Sequence, residues 1–171
     1  GAGGTSDTTG LLRALVEADA RDAVLGVLTD PETAAAAHAA GEGAEIEVAV
    51  GGKLFPQGGP PFRGRFTVEK LGSGQFLCTG PFYGGTSADL GPTALLRIGG
   101  VRVIVASRRM QAADKEMFRH VGVEPSAQKI LGLKSTVHFR GDFSNGAAEI
   151  LLVEAPGALV DGPDRSPYER L

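Results

Sequence analysis

The stretch Thr93-Ala94-Leu95-Leu96-Arg97-Ile98-Gly99-Gly100-Val101-Arg102-Val103-Ile104-Val105-Ala106 decides the fold, because it holds the clearest pair of strands in the chain. Two apolar runs, 93–98 and 101–106, are separated only by Gly99 and Gly100. A two-residue hairpin turn needs residues that tolerate positive φ, and glycine does so without steric cost. The sequence therefore predicts an antiparallel hairpin with positive φ at both glycines.

Two half-exposed antiparallel strands precede the hairpin, because apolar and charged residues alternate on both sides of a Pro- and Gly-rich loop over 51–61. The predicted inward-facing residues are Ile46, Val48, Val50, Phe62, Phe66 and Val68. We expect Arg63 and Arg65 to lie opposite Glu45 and Glu47 on the polar face. A further short strand is predicted over 75–79, followed by a loop over 80–89.

Helices and strands alternate at both ends of the chain. The predicted helices span 8–17, the stretch from the cap Asp30 to Gly41, and Asp114 to about His120. Buried strands are predicted over 23–28, 130–133 and 150–153. This order favours an α/β (or α+β) domain over residues 1–156, with a mixed sheet, flanking helices and a central antiparallel meander or hairpin insert. Residues 157–171 are expected to form an extended or disordered tail.

Composition excludes several classes of function. The 171 residues carry a net charge of −3 with no basic block, which argues against nucleic acid as a partner. No apolar run reaches the roughly 18 residues that span a membrane, and the start of the chain lacks the pattern of a signal peptide. The single cysteine, Cys78, excludes an internal disulfide and indicates a reducing compartment, by default the cytoplasm.

The stretch Lys134-Ser135-Thr136-Val137-His138-Phe139-Arg140 follows the last predicted strand but one, and it concentrates cations, a hydroxyl and an imidazole. Ser135 is predicted to cap a helix that begins near Thr136. Such a strand-to-helix switch is where α/β proteins place ligands. The alternative is a capped helix start with a solvated basic first turn.

Two other stretches can be read as binding elements. The Gly-rich start, 1–9, leaves backbone N–H groups open to an anion or a carbonyl oxygen, or else is a flexible lead-in to the first helix. It is not a dinucleotide or P-loop fingerprint, because Ser6 stands where the third glycine should be and no Gly-Lys-Ser/Thr is present. Arg108 and Arg109 at a strand end either hold a carboxylate or form a solvated edge.

The three histidines offer no local metal site, because His38, His120 and His138 lie far apart in the sequence. None of them stands in His-x-x-x-His or His-Glu-x-x-His spacing. We therefore expect no metal ligands from this chain alone.

Five motifs in the same order, spread over about residues 1 to 157, resemble the C-terminal domain of the MlrC family, the linearised-microcystin peptidases and their relatives. The motifs are Gly1 to Leu12, Asp89-Leu90-Gly91-Pro92-Thr93 through Val101, Ser107 to Gln111, Gly122-Val123-Glu124-Pro125, and Lys134 to Arg140.

The resemblance implies a zinc-dependent metallopeptidase in which a zinc-bound water attacks a peptide or amide carbonyl. Most zinc ligands of that family lie in an N-terminal domain that precedes the Gly-rich loop. The loop is usually preceded by Asp-Asn-Pro, and this sequence begins just after that point, so we expect a C-terminal part of a longer chain. The implied partners are that N-terminal domain and a peptide-like small substrate, and a homo-oligomer is compatible with the sequence.

Residue roles follow from the resemblance and from residue type. Gly3, Gly4 and Thr8 would offer backbone or hydroxyl donors, and Lys134 and Arg140 would offset substrate carboxylate charge. His138 would be the catalytic residue, donating a proton or a hydrogen bond. Arg108 and Ser135 complete the predicted substrate-binding set. The alternatives are a non-catalytic module that binds a small anion, and a structural or dimerisation domain.

Overall fold

The computed structural model describes residues 5–55 and 58–155. Strands outnumber helices, and the helices are short. The helices are α1 (Gly10–Glu17), α2 (Pro31–Ala40), α3 (Glu116–Arg119) and α4 (Arg140–Phe143), with a 3-10 turn at Pro125–Ala127. The strands are β1 (Ala23–Thr29), β2 (Glu45–Val50), β3 (Phe62–Gly72), β4 (Gln75–Leu77), β5 (Ser87–Asp89), β6 (Thr93–Ile98), β7 (Val101–Ala106) and β8 (Ile130–Leu133).

The main sheet is mixed, as predicted. Its six strands lie in the order β2-β3-β6-β7-β1-β8. The neighbours from β2 to β7 run antiparallel, whereas β1 pairs in parallel with both β7 and β8. Helices flank the sheet, so the α/β architecture is confirmed.

Alternation along the central strand β1 builds a core on each face of the sheet. Leu25 packs with α1 and α2 on one side, together with Leu12 and Phe66. Its neighbour Val24 points the other way and packs with Phe118 of α3 and Phe143 of α4. All seven residues of β1 are buried. Because the strand is covered on both faces, its sequence is an almost continuous apolar run instead of an alternating one.

The hairpin of β6 and β7 forms in the predicted register, with Ile98 opposite Val101. The prediction of positive φ at both turn glycines is wrong for one of them. Gly99 has a φ of 57°, whereas Gly100 lies outside the left-handed region. A Cβ at Gly100 would lie 2.4 Å from the backbone oxygen of Ala20. Position 100 therefore requires glycine because a side chain would clash with Ala20, whereas position 99 favours glycine because its φ is positive.

The pairing of β2 with β3 is antiparallel, as predicted, but the expected charge pairs form only in part. Glu47 lies opposite Arg65, whereas Arg63 lies opposite Ala49 and Glu45 lies opposite Thr67. The register is set by the buried residues of the inner face, and the polar face follows it.

The region 75–89 differs from the prediction. Its first strand, β4, leaves the main sheet and pairs with β5 in a separate two-stranded ribbon, so the predicted loop over 80–89 ends in a strand. Thr86 and Tyr83 close the turn between them, since the Thr86 N–H donates to the Tyr83 oxygen at 3.0 Å.

The predicted helix start at Ser135 is wrong. Residues 134–139 are irregular, and the one-turn helix α4 begins only at Arg140. Phe139 and Phe143, four residues apart, are both buried in the core below α4. Their packing places the helical turn there, since side chains four residues apart lie on the same helix face.

The predicted buried strand over 150–153 is also wrong. Those residues have no regular secondary structure, and Leu151 and Leu152 are each 72% exposed. An apolar run forms a buried strand only where a sheet edge and a covering layer meet it, and neither does so among the described residues.

The predicted tail over 157–171 lies outside the described residues. Within residues 5–55 and 58–155, no helix has the length and apolar character needed to cross a membrane.

Candidate functional site

The candidate site lies at the carboxyl edge of the parallel strands. Since β7, β1 and β8 run in the same direction, the segments that follow them meet at one edge of the sheet. These segments begin with Ser107, Asp30 and Lys134. The loop over 5–9 joins them, because the Thr29 N–H donates to the Ser6 oxygen at 3.0 Å. This is the edge at which open α/β sheets bind ligands.

Lys134 and Thr8 form the centre of the site. The Nζ of Lys134 donates to the backbone oxygen of Thr8 at 2.6 Å and to its Oγ1 at 2.7 Å. Burial lowers the pKa of Lys134 to about 8, although the nearby charge of Asp7 opposes that shift. An ammonium has three N–H donors, so one of them is left for a further oxygen once Thr8 has accepted two.

Asp7 is a buried carboxylate beside Lys134 that was not among the predicted site residues. Its Oδ2 accepts from the backbone N–H groups of Lys53 at 3.0 Å and of Leu54 at 2.8 Å. Its Oδ1 is buried without a hydrogen-bond partner, and so is the Oγ1 of Thr5. A buried oxygen without a partner is costly and is found where a site takes a ligand or a water.

The loop that carries Asp7 and Thr8 holds a strained residue. Ser6 has a φ of 59°, in the left-handed region that non-glycine residues rarely adopt. Its backbone oxygen accepts from Thr29, so the end of β1 holds the loop in this conformation. Strain of this kind tends to occur at functional sites.

Asp30, the first residue after β1, holds several segments at this edge of the sheet together by hydrogen bonds. Its carboxylate is buried and caps α2, as predicted, by accepting from the Thr33 N–H at 3.1 Å. It also accepts from the Thr33 hydroxyl, the Gly51 N–H and the Nζ of Lys53. Burial by itself raises the pKa of Asp30, but these hydrogen bonds outweigh it and bring the pKa below its ordinary value. We interpret this network as structural support for the site.

Ser135 lies next to Lys134, and its hydroxyl accepts from the Nε2 of Gln111 at 2.9 Å. The Ala112 N–H donates to the Lys134 oxygen at 3.3 Å, so the segments after β7 and β8 run side by side. Sequence reasoning did not single out Gln111. The signal was present, because Gln111 ends the motif that begins at Ser107.

The other predicted site residues are engaged elsewhere. His138 is exposed, and its ring stacks on Phe82 with centroids 4.1 Å apart. The guanidinium of Arg140 lies 5.2 Å from the centre of the Phe139 ring. Arg108 forms an exposed ion pair with Asp89. The structure thus brings Thr8, Lys134 and Ser135 together, and the roles of all the predicted site residues stay predictions.

Gly3 and Gly4, the predicted backbone donors, lie outside the described residues. Arg109, the second arginine after β7, is exposed and has an interaction of its own.

A zinc ion does not fit the described part of the chain by itself. Among residues 5–55 and 58–155, no three His, Cys, Asp or Glu side chains come together in a group that could hold a metal. His38 lies 3.1 Å from the Thr93 oxygen through its Nε2, and the Nδ1 of His120 lies 3.1 Å from the Glu116 oxygen. Burial lowers the pKa of His120 and favours the neutral ring.

Comparisons with known proteins give the chain its family. Residues 1–170 match the family described as MlrC C-terminus. Microcystinase C of Sphingomonas sp. is 29% identical over 155 residues, which cover 90% of this chain and 29% of that protein.

A solved structure shares the fold. The crystal structure of a protein named "Putative metallopeptidase" from Mesorhizobium sp. BNC1 superimposes with a TM-score of 0.86 and 29% identity, over 95% of this chain and 33% of that one. The chain therefore spans about a third of the length of the relatives that it matches. With a match over nearly all of its residues, this chain belongs to the MlrC C-terminus family.

Proposed function

We propose that this chain is the substrate-enclosing, C-terminal domain of a zinc-dependent metallohydrolase that acts on peptide or amide bonds. The zinc ligands would lie in a part of the polypeptide outside these 171 residues. The names of the two relatives support a peptidase, and their greater length leaves room for a metal-binding part.

The observation that carries the proposal is the partly buried ammonium of Lys134, held by Thr8 at the carboxyl edge of the sheet. Two contacts to one residue fix the direction of the Nζ, and its remaining donor can reach a substrate oxygen. A hydrogen bond from a charged donor in a poorly solvated site is worth about 1.5–3 kcal/mol. Lys134 therefore suits the recognition of a carboxylate or a carbonyl oxygen.

The remaining predicted residues would contact the substrate further from Lys134. Ser135 is fixed by Gln111 and has its own O–H left to donate. His138, Arg108 and Arg140 are exposed and would contact the substrate at the solvent-facing edge of the site. We also propose a reducing compartment such as the cytoplasm, because the chain's single cysteine, Cys78, is a free and buried thiol.

The test compares two lysine variants in the full-length natural polypeptide. Lys134→Met removes the partly buried ammonium, and Lys129→Met removes an exposed one, paired with Asp22, before the start of β8. The zinc-loaded proteins are assayed by mass spectrometry for hydrolysis of short linear peptides, and their zinc content is measured. We expect kcat/KM to fall about 10- to 100-fold in Lys134→Met, with unchanged zinc, and to stay within about twofold in Lys129→Met.

Three outcomes would contradict the proposal. The zinc-loaded wild type could cleave no peptide or amide while binding small anions through Lys134, which is the behaviour of a non-catalytic anion-binding module. Lys134→Met could retain full activity. Finally, the 171 residues alone could bind about one zinc tightly and hydrolyse peptides, in which case the assignment of the ligands to another part of the polypeptide is wrong.

A further inference from the structure

Most of the exposed apolar side chains belong to segments that adjoin the candidate site. Of the nine large hydrophobic side chains exposed among the described residues, seven belong to segments that border this edge of the sheet. We call these seven the apolar rim: Leu54, Phe82, Val137, Ile150, Leu151, Leu152 and Val153. The two others, Leu77 and Ile130, lie in the β4–β5 ribbon and at the opposite end of β8.

Each part of the apolar rim belongs to a segment that contacts, or continues from, a segment of the site. The N–H of Leu54 donates to the carboxylate of Asp7. Phe82 stacks on His138. His138 lies in the irregular stretch 134–139, which also contains Val137 and Lys134. The segment 150–153 leads to Ala155, whose Cβ would lie 3.0 Å from a Cβ placed on Gly10 at the start of α1. The apolar rim therefore consists of three segments that adjoin the segments of the site.

The apolar rim is unusual for a surface in water. Four consecutive apolar residues, 150–153, are exposed, and the central pair Leu151 and Leu152 is exposed by 72% each. Scattered single hydrophobic residues are normal on a surface, but a contiguous apolar patch beside polar groups marks a contact surface. By contrast, the edge strand β2 exposes the charged Glu45 and Glu47, and such charges disfavour pairing with a strand of another molecule.

We propose that the apolar rim is the surface against which the rest of the longer polypeptide packs, so that the Lys134 site lies at the junction of the two parts. This rests on the part of the proposed function that places the chain in a longer polypeptide. The relatives are about three times as long as the matched region, so their remaining chain is large enough to supply a cover. The covering face is expected to be apolar, with polar groups only where it meets Lys134 and Asp7.

The test measures hydrogen exchange in the full-length natural polypeptide, without reference to activity. Peptides over 149–155 are followed by mass spectrometry in the wild type, in Leu151→Glu/Leu152→Glu and in Leu77→Glu. Leu77 is 57% exposed but lies outside the apolar rim, so it is the matched control. We expect exchange over 149–155 to be at least about tenfold slower in the wild type and in Leu77→Glu than in the double variant. Val153→Glu serves as a second, milder variant if the double variant unfolds.

Several results would overturn this inference. The wild-type segment could exchange as fast as the double variant, or the natural polypeptide could contain no further domain. The protection could instead disappear on dilution together with a dimer seen by light scattering, which would make the cover a second copy of the chain. Failure of the proposed function is distinguishable, since protection without peptide hydrolysis would reject the hydrolase and leave the interface standing.

Discussion

The ammonium of Lys134 donates to both the backbone oxygen and the hydroxyl of Thr8, a residue 126 positions earlier in the chain. This pair joins the loop before α1 to the end of β8, which pairs with β1. The lysine is held in a poorly solvated position, and its pKa falls to about 8 because burial disfavours the charge. The two sequence motifs farthest apart in the chain thereby form one site.

Lys134→Met is expected to change how stability depends on pH. The folded protein releases the Lys134 proton near pH 8, whereas the unfolded chain holds it until about pH 10.5. The unfolded state therefore binds more protons between these values, and the free energy of unfolding rises with pH there. We expect the wild type to gain up to about 3 kcal/mol relative to Lys134→Met between pH 8 and 10.5, measured by urea unfolding.

Lys129→Met is the control for this measurement, because Lys129 is exposed and pairs with Asp22 at 3.0 Å. Its stability relative to the wild type should change little over the same pH range. A difference between the wild type and Lys134→Met that stays flat, or falls as pH rises, would show that the folded state does not disfavour the charged lysine.

Asp30→Asn is expected to destabilise the fold by about 2–4 kcal/mol, measured by urea unfolding at pH 7. The amide keeps one acceptor oxygen but places an NH₂ group toward donors such as the Gly51 N–H, leaving buried groups unpaired. Because the folded pKa of Asp30 is lowered, its stabilisation is present above about pH 4 and lost as pH falls through the folded value.

Asp19→Asn supplies the matched comparison, since Asp19 forms an exposed ion pair with Arg21 and should cost about 0.5 kcal/mol or less. Lys53→Met should fall between the two, because Asp30 would keep its bonds from Thr33 and Gly51. Equal losses for Asp30→Asn and Asp19→Asn would mean that the buried network contributes nothing particular.

His120→Phe is expected to reduce the loss of stability in acid. His120 stacks on Phe76 with centroids 4.8 Å apart, and its Nε2 is buried without a partner. Burial lowers its pKa, so as pH falls below about 6.5 the unfolded chain takes up a proton that the folded protein does not. The wild type should lose up to about 1.4 kcal/mol per pH unit in this window relative to the variant.

His38→Gln tests whether that effect is specific, because His38 is exposed on α2. Thermal midpoints between pH 7.5 and 5 should fall in parallel for His38→Gln and the wild type, and less steeply for His120→Phe. Parallel curves for all three proteins would indicate that His120 is protonated in the folded state.

Local chemistry made much of the site's frame predictable. The Gly99-Gly100 turn, the alternation in β2 and β3, and the cap Asp30 before Pro31 each depend on neighbours in the sequence. They appear in the structure within a residue or two of the predicted positions. Lys134 and Ser135 were predicted because polar groups after an apolar strand favour ligand sites, and Thr8 was predicted from the Gly-rich loop and the family resemblance. The structure brings these residues together, and their roles stay predictions.

The predictions that were wrong concerned features that depend on contacts between distant segments. Ser135 is a residue type that caps helices, but its hydroxyl accepts a hydrogen bond from Gln111 instead. The buried side chains of Phe139 and Phe143 place the helical turn further along the chain. The run 150–153 has the composition of a buried strand, yet nothing among the described residues covers it. His120 ends a short helix, where a charged ring would be favourable, but its ring stacks on Phe76 and its Nε2 is buried.

The sequence by itself determined most of the strands of the main sheet, the hairpin and the order of the motifs, because these follow from periodicity, turn chemistry and short-range capping. Only the tertiary structure decided that Thr8, Asp7 and Lys134 share one poorly solvated edge and that segments with exposed apolar side chains adjoin it. The physical reason is that burial and hydrogen-bond partners belong to the packed sheet, where parallel strands bring residues more than a hundred positions apart to the same end.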